Sequence, residues 1–256
     1  MSTLHLFGDS FTEGHRLDQT YPPYQEWRKY RNDNLPPCWG DLLSKELNMT
    51  MKNHAVGGMS NSEIFQSICR HSHTFEKDDI VIINWTYPNR FRWAYWCKKQ
   101  RIYKWVRLSL NPEDGSKILE ETRNEIALNK TISLYIDEVY EKENLILEYS
   151  KSKKFKVFFW SADIDIINNL PSKKLNDRKY ILHKEIDELP LNIVGEHIHI
   201  ARSEMRRTIF DVFFKYGGVT ISEETNGNVM DNHLGEKGHV VQFELFYKYL
   251  TENSII

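Results

Sequence analysis

The sequence predicts an α/β fold built on a mostly parallel sheet. One observation is the segment from Asp79 to Asn84, whose continuous β-branched run is typical of a central strand covered on both faces. A second is the alternation of strand-like and helix-like segments, which indicates parallel strands joined by right-handed crossovers. The third is the length of 256 residues, which favours one large α/β domain over residues 1–256.

The predicted elements follow one another as β-α-β-α-β. Leu4 and Leu6 alternate with polar neighbours as in a strand, and Gly8 then permits a sharp turn into a helix. Apolar residues at helical spacing predict one helix near residues 39–47 and another near 64–71. The strands are expected at residues 4–7, 49–53, 79–84 and 156–160.

The stretch of about residues 85–152 is too long for a simple crossover, and we interpret it as a helical, aromatic-rich insertion between strands 3 and 4. Its first part interleaves aromatic and basic residues, which can stack on sugars or bases and bind anionic groups, or can pack as a local subcore. Its second part, about 116–149, predicts one or two amphipathic helices. The candidate substrate-binding residues are Trp85, Arg90, Trp93 and Trp96.

Composition and charge exclude several classes of protein. A formal net charge of −2 gives no sign of the basic face typical of nucleic-acid binding. The three cysteines, Cys38, Cys69 and Cys97, are odd in number and widely separated, so neither a disulfide framework nor a zinc site is expected. Because no apolar run is long enough to span a bilayer and no leader pattern is visible, we expect a cytoplasmic protein without a membrane partner.

Two histidines near the C-terminal third raise the question of a metal. His197 and His199 alternate with isoleucines, so in a short strand they would share one face. A metal site needs a third ligand at a suitable spacing, and none is evident. Surface or packing histidines are the favoured interpretation, and we expect no metal and no cofactor.

The turn Gly8-Asp9-Ser10 places a serine directly behind the first strand. The carboxyl ends of parallel strands are where open α/β sheets bind ligands. On its own the tripeptide is typical of ordinary turns. A serine nucleophile needs a base, and the base needs an orienting group. Asp231 and His233 stand two residues apart and would project on the same side of an extended segment, so they are candidates for that pair.

Three short blocks in this order along the chain resemble those of the GDSL or SGNH hydrolases. Residues 8–10 resemble the first block, which carries the nucleophile Ser10. Residues 53–60 resemble the second, and Asp231 with His233 resembles the last. The resemblance implies a flavodoxin-like, three-layer α/β/α fold with a central, mostly parallel five-stranded sheet. It also implies a serine hydrolase of the carboxylic-ester class.

The resemblance further implies an oxyanion hole. In the family, the glycine five residues after the asparagine of the second block donates its backbone N–H, which selects Gly58 over Gly57. The backbone N–H of Ser10 is the second donor. Glycine suits this position because it leaves the amide bare and accessible.

The chain departs from the family at two places. The third block usually reads Gly-x-Asn-Asp, and its asparagine completes the oxyanion hole. Here Asn84 is the preferred third donor because an amide at the end of a strand donates well, Thr86 is the alternative, and Asn89 is a more remote choice. The aspartate and histidine of the last block are often three residues apart in the family, so His239 stays a second candidate base beside a role at a helix start.

The activity that the resemblance implies is that of a serine esterase or deacylase. It would hydrolyse a small-molecule or carbohydrate ester, such as an O-acylated sugar, through an acyl-enzyme on Ser10. One alternative keeps the chemistry and passes the acyl group to a sugar, as an O-acyltransferase in glycan modification does. Another is a binding module of the same fold with little turnover.

Overall fold

The computed structural model describes residues 2–14, 22–86, 90–97, 102–109, 132–161, 213, 215–231 and 233–252. A short 3₁₀ turn at Ser72–Thr74 separates the fourth helix from the third strand. The helices and strands are β1 (Thr3–Phe7), α1 (Ser10–Glu13), α2 (Pro22–Tyr30), α3 (Trp39–Glu46), β2 (Thr50–Asn53), α4 (Asn61–His71), β3 (Ile80–Trp85), β4 (Arg90–Cys97), β5 (Ile102–Ser109), α5 (Ile132–Lys153), β6 (Lys156–Ser161), α6 (Ile221–Glu224) and α7 (Glu236–Glu252).

Four strands form a parallel sheet in the order β2-β1-β3-β6. Leu4 pairs with Met51 on one side and with Ile80 on the other, and Ile80 pairs with Lys156. The predicted α/β class and parallel sheet are confirmed. The predicted number of five strands is wrong for the described part of the chain, where no further segment pairs with β6.

Helices pack on both faces of this sheet. A Cβ on Gly40 of α3 would collide with Leu6, so even-numbered residues of β1 face α3. Trp160 of β6 makes an edge contact with Phe246 of α7 on the same face, with ring centroids 5.5 Å apart. Phe7 points the other way, toward α4, and the β3 residues are buried throughout. The apolar run of β3 is therefore explained by cover on both sides.

The aromatic part of the insertion is a β-hairpin rather than a helix. β4 and β5 pair antiparallel, with Arg90 opposite Ser109 and Cys97 opposite Ile102. The sequence of β4 alternates aromatic residues with arginine and alanine, a period of two that is typical of strands. The helical prediction for residues 116–149 agrees with α5 from residue 132 onward, while residues 110–131 lie outside the described ranges.

Two further findings concern only the residues that the structure describes. None of the helices there is both long and apolar enough to cross a bilayer. No cluster of three or more histidine, cysteine, aspartate or glutamate side chains suited to a metal ion occurs in those same ranges. His197 and His199 lie outside them.

Three histidines pack together at the β2 side of the sheet. His5 Nδ1 lies 3.2 Å from His54 Nε2, and the His54 and His71 ring centroids are 4.1 Å apart. Burial, followed by the charges that His71 and His5 would carry, lowers the pKa of His54 to about 4. Burial also lowers the pKa of His5, although Asp79 opposes the shift. The folded cluster therefore favours the neutral form of His54.

This cluster predicts a pH-dependent stability. Between pH 6.5 and 4 an unfolded His54 binds a proton that the folded one does not, so the free energy of unfolding falls as the pH drops through that window. The expected loss from His54 is on the order of 2 kcal/mol. Urea unfolding at pH 7 and pH 4.5 measures it. The variant His54→Gln is expected to lose less stability between the two pH values, and an equal loss would contradict the assignment.

Candidate active site

The turn from β1 into α1 holds Ser10 in a fixed position. A Cβ on Gly8 would collide with Thr12 and with the Cβ of Asn84, so only glycine fits where the chain leaves the strand. The Asp9 side chain caps α1 by accepting from the Phe11 N–H at 3.1 Å. Ser10 is the first helical residue and retains 8% of its surface exposed. The serine therefore lies at the start of a capped helix and keeps a small exposed surface.

Asp9 is a fully buried carboxylate with several donors around it. Asn84 Nδ2 donates to one oxygen at 2.9 Å, and Thr86 Oγ1 donates to the other at 2.6 Å. Arg90 Nη1 donates to the same second oxygen at 2.8 Å and to Thr86 Oγ1 at 2.9 Å. A buried charge needs such partners to be tolerated. Asp9 therefore anchors the turn to the ends of β3 and β4.

This arrangement changes the interpretation of the polar residues at the end of β3. Asn84 and Thr86, the two candidates for the third oxyanion donor, are both fully buried and donate to Asp9. The geometry gives them a supporting role beneath the serine instead. Asn89, the more remote choice, lies outside the described residues.

The predicted substrate-binding residues separate into three groups. Trp85 belongs to the core and does not face substrate: it is fully buried, and its Nε1 donates to Glu143 Oε1 of α5 at 2.8 Å. Both faces of β3 are covered, so a residue of this strand is buried whichever way it points, which the sequence prediction missed. Arg90 forms an ion pair with Asp9, and 25% of the Arg90 side chain is exposed. Trp93 and Trp96 lie in β4, and their side chains are outside the described part.

Asp231 and His233 form the close pair that their spacing predicts. His233 Nδ1 lies 2.6 Å from Asp231 Oδ1, which also accepts from the His233 backbone N–H at 2.9 Å. A carboxylate only accepts, so Nδ1 carries the proton and Nε2 presents its lone pair. The Asp231 N–H donates to Ser222 Oγ of α6 at 2.6 Å, which fixes the loop. The imidazole is thereby set in the tautomer that a general base requires.

Ser10 and His233 both line one cavity. The Phe11 ring contacts the His233 ring, with centroids 5.1 Å apart. His239 also reaches the cavity, but it is buried, and its Nδ1 lies 3.5 Å from the backbone N–H of Trp39. That contact supports a structural role for His239 at the start of α7. The lining residues are Ser10, Phe11, Gly14, Tyr24, Ile221, His233, Leu234 and His239.

Residues 54–59, which we call the glycine loop, run beside α1. The Val56 N–H donates to Gly8 O at 3.2 Å, and the Gly57 N–H donates to the Glu13 carboxylate at 2.5 Å. Gly58 has φ of +73°, a left-handed conformation that favours glycine. Among the described residues the Gly58 N–H has no acceptor, which distinguishes it from Gly57. Gly58 is thus the glycine with an amide available to a ligand.

Sequence reasoning missed the residues that support this site. Asn53 Nδ2 donates to Thr12 O at 2.9 Å and its Oδ1 accepts from the Ala55 N–H, so it links the glycine loop to α1. Glu13 makes a second link to the same loop. A glutamate in the first turn of a helix was the visible signal, but ordinary helix capping also accounts for that pattern.

Comparisons with known proteins describe what the chain is similar to. No protein-family model and no curated protein matches the sequence. Among solved structures, a putative lipolytic protein of the G-D-S-L family from Desulfitobacterium hafniense DCB-2 is similar at a TM-score of 0.47 and 10% identity, over 98% of this chain and 100% of that one. Protein YxiM from Bacillus subtilis is similar at a TM-score of 0.45 and 13% identity, over 99% of this chain and 57% of that one. At these values the functional proposal rests on the geometry of the site.

Proposed function

We propose that this protein is a serine hydrolase of the GDSL/SGNH type that cleaves a small carboxylic ester. Ser10 is the nucleophile, His233 the general base and Asp231 the group that orients it. The observation that carries the proposal is the shared cavity: Ser10 lines it together with a histidine whose Nδ1 is 2.6 Å from a buried aspartate. An activated serine requires these three parts together.

In this mechanism His233 Nε2 takes the Ser10 proton while Oγ attacks the ester carbonyl carbon. The carbonyl oxygen becomes an oxyanion, bound by the N–H groups of Ser10 and Gly58. When the carbonyl re-forms, the C–O bond to the alcohol breaks and His233 returns the proton to the leaving alcohol. Water, deprotonated by His233, then attacks the acyl-enzyme and releases the acid and Ser10.

The hairpin of β4 and β5 supports a carbohydrate ester as the substrate. It begins at Arg90, whose guanidinium contacts Asp9, so it leaves the sheet next to the nucleophile turn. Its sequence is rich in tryptophan and tyrosine, including Trp93 and Trp96, and such residues stack on the apolar faces of sugars. We propose these two tryptophans as substrate contacts.

Reaction with an alkyl fluorophosphonate tests the proposal. The expected result is a single covalent adduct on the peptide that contains Ser10, found by mass spectrometry after labelling of the folded protein at pH 8. Protein unfolded in urea is the control, because its serines have no oriented base and should stay unlabelled. A folded protein that remains unlabelled while a known esterase reacts would favour a binding module of this fold and contradict the hydrolase.

Substituting Gly58 tests the oxyanion hole. Gly58→Ala adds a Cβ at φ of +73° and displaces the N–H, so turnover of 4-nitrophenyl acetate is expected to fall about 10²- to 10³-fold. Gly217→Ala is the matched control, because Gly217 has φ of +84° and open space where a Cβ would lie. It carries the same backbone strain away from the site and should keep wild-type turnover. Equal losses in both variants would contradict the assignment.

A further inference from the structure

We infer that Glu13 is a positioning residue that sets the orientation of the oxyanion hole. It does so by accepting the Gly57 N–H, which ties the turn that contains Gly58 to the helix that carries Ser10. The inference rests on the proposed function, because it concerns the same oxyanion hole. It assigns Glu13 no contact with substrate.

The first step is the contact itself. Glu13 Oε2 accepts from the Gly57 N–H at 2.5 Å, although the two residues are 44 positions apart in the chain. Hydrogen bonds from an amide to an ionised carboxylate are shorter and stronger than those between neutral groups. The Glu13 side chain is only partly exposed, so water competes weakly for it. The Glu13 side chain therefore accepts from the Gly57 N–H, and Gly57 directly precedes the proposed donor Gly58.

The second step is the freedom of the glycine pair. Gly57 and Gly58 have no Cβ, so the peptides around them rotate more readily than those of other residues. The Met59 N–H donates to Val56 O at 3.2 Å, which closes a turn with the two glycines at its centre. The Val56 N–H donates to Gly8 O at 3.2 Å and holds the start of that turn. Glu13 adds a side-chain contact from α1 at the middle of the turn, next to Gly58.

The third step is the link to the nucleophile. Glu13 and Ser10 lie in the same single-turn helix, α1, which is capped by Asp9. The Glu13 carboxylate therefore links the turn that contains Gly58 to α1, the helix that carries Ser10. Oxyanion stabilisation depends on donors placed to within a fraction of an ångström before the reaction begins. Loss of the link should slow the chemical step more than it weakens binding.

The test measures the rate at which an alkyl fluorophosphonate labels Ser10, since the phosphoryl oxygen needs the same donors. For Glu13→Ala the limiting labelling rate is expected to fall about 10- to 100-fold, while the half-saturating probe concentration stays within about threefold. Glu13→Gln keeps an acceptor oxygen at the same reach and should label within about threefold of wild type. Glu13→Asp retains the charge with a shorter reach and should be slowed like alanine.

Glu26→Ala is the matched control, because it removes an exposed glutamate from α2 and should label at the wild-type rate. Wild-type labelling by Glu13→Ala overturns the inference and leaves the proposed function intact. A thermal scan shows whether Glu13→Ala folds. If it does not, the labelling rates of Glu13→Asp and Glu13→Gln are compared, and equal rates for these two variants overturn the inference. Absence of labelling in the wild-type protein overturns the proposed function and this inference together.

Discussion

Replacing Ser10 by alanine is expected to lower turnover of 4-nitrophenyl acetate by at least about 10⁴-fold. The substitution removes only Oγ, the atom that would form the acyl-enzyme, and keeps the helix-forming backbone. Because no hydrogen bond from that Oγ is found in the described part of the chain, the melting temperature should stay within a few degrees of wild type. Steady-state hydrolysis and a thermal scan measure the two quantities.

Ser44→Ala is the matched control for this prediction. Ser44 lies on α3, where its Oγ donates to Asp41 O at 3.0 Å within its own helix. Its loss changes one serine in a helix without touching the cavity, so turnover should be unchanged. If folded Ser10→Ala protein retained wild-type turnover, Ser10 would not be the nucleophile.

The second large effect is expected for Asp231→Asn, with a fall in turnover of about 10³- to 10⁴-fold. An asparagine amide can donate to His233 Nδ1, which the carboxylate cannot. The ring would then hold its proton on Nε2, where it cannot accept one from Ser10. The buried position of Asp231 adds weight to this effect, because water has little access to replace the lost acceptor. The ratio of kcat for variant and wild type at pH 8 measures it.

Asp41→Asn provides the control for Asp231→Asn. Asp41 Oδ2 accepts from the Cys38 N–H at 3.1 Å and so caps α3. Its amide replacement weakens a cap, which lowers stability by about 1 kcal/mol, and should leave turnover unchanged. Turnover of Asp231→Asn within tenfold of wild type would show that Asp231 does not govern the tautomer of His233.

The parallel sheet could be predicted from the sequence because its signals are local. The apolar run at 80–83 and the alternation around Leu4 and Leu6 each lie within one strand, and crossover handedness then limits the topology. The pair of Asp231 and His233 is also predictable from the sequence, because residues two apart in an extended segment project on the same side. The aromatic richness of the hairpin region is also evident in the sequence, but the prediction of a helical insertion overlooked its period-two pattern.

The supporting residues could not be predicted because they act across the chain. Asn84 and Thr86 have the right chemistry for oxyanion donors, but the buried charge of Asp9 takes up both side chains. Trp85 has the residue type of a sugar contact, but it lies in the core, where its Nε1 donates to Glu143 on a helix that is remote in the sequence. Contacts between residues 58 to 77 positions apart leave no local pattern to recognise.

The ion pair between Arg90 and Asp9 also constrains how this chain can be redesigned. Arg90 is the first residue of the hairpin, and Asp9 caps the helix that begins at Ser10. A different insertion grafted in place of the hairpin must bring a cation at its first position. Without that cation, the buried negative charge of Asp9 has only neutral hydrogen-bond donors around it. Replacing the hairpin to change the substrate range would then also alter the turn that carries Ser10.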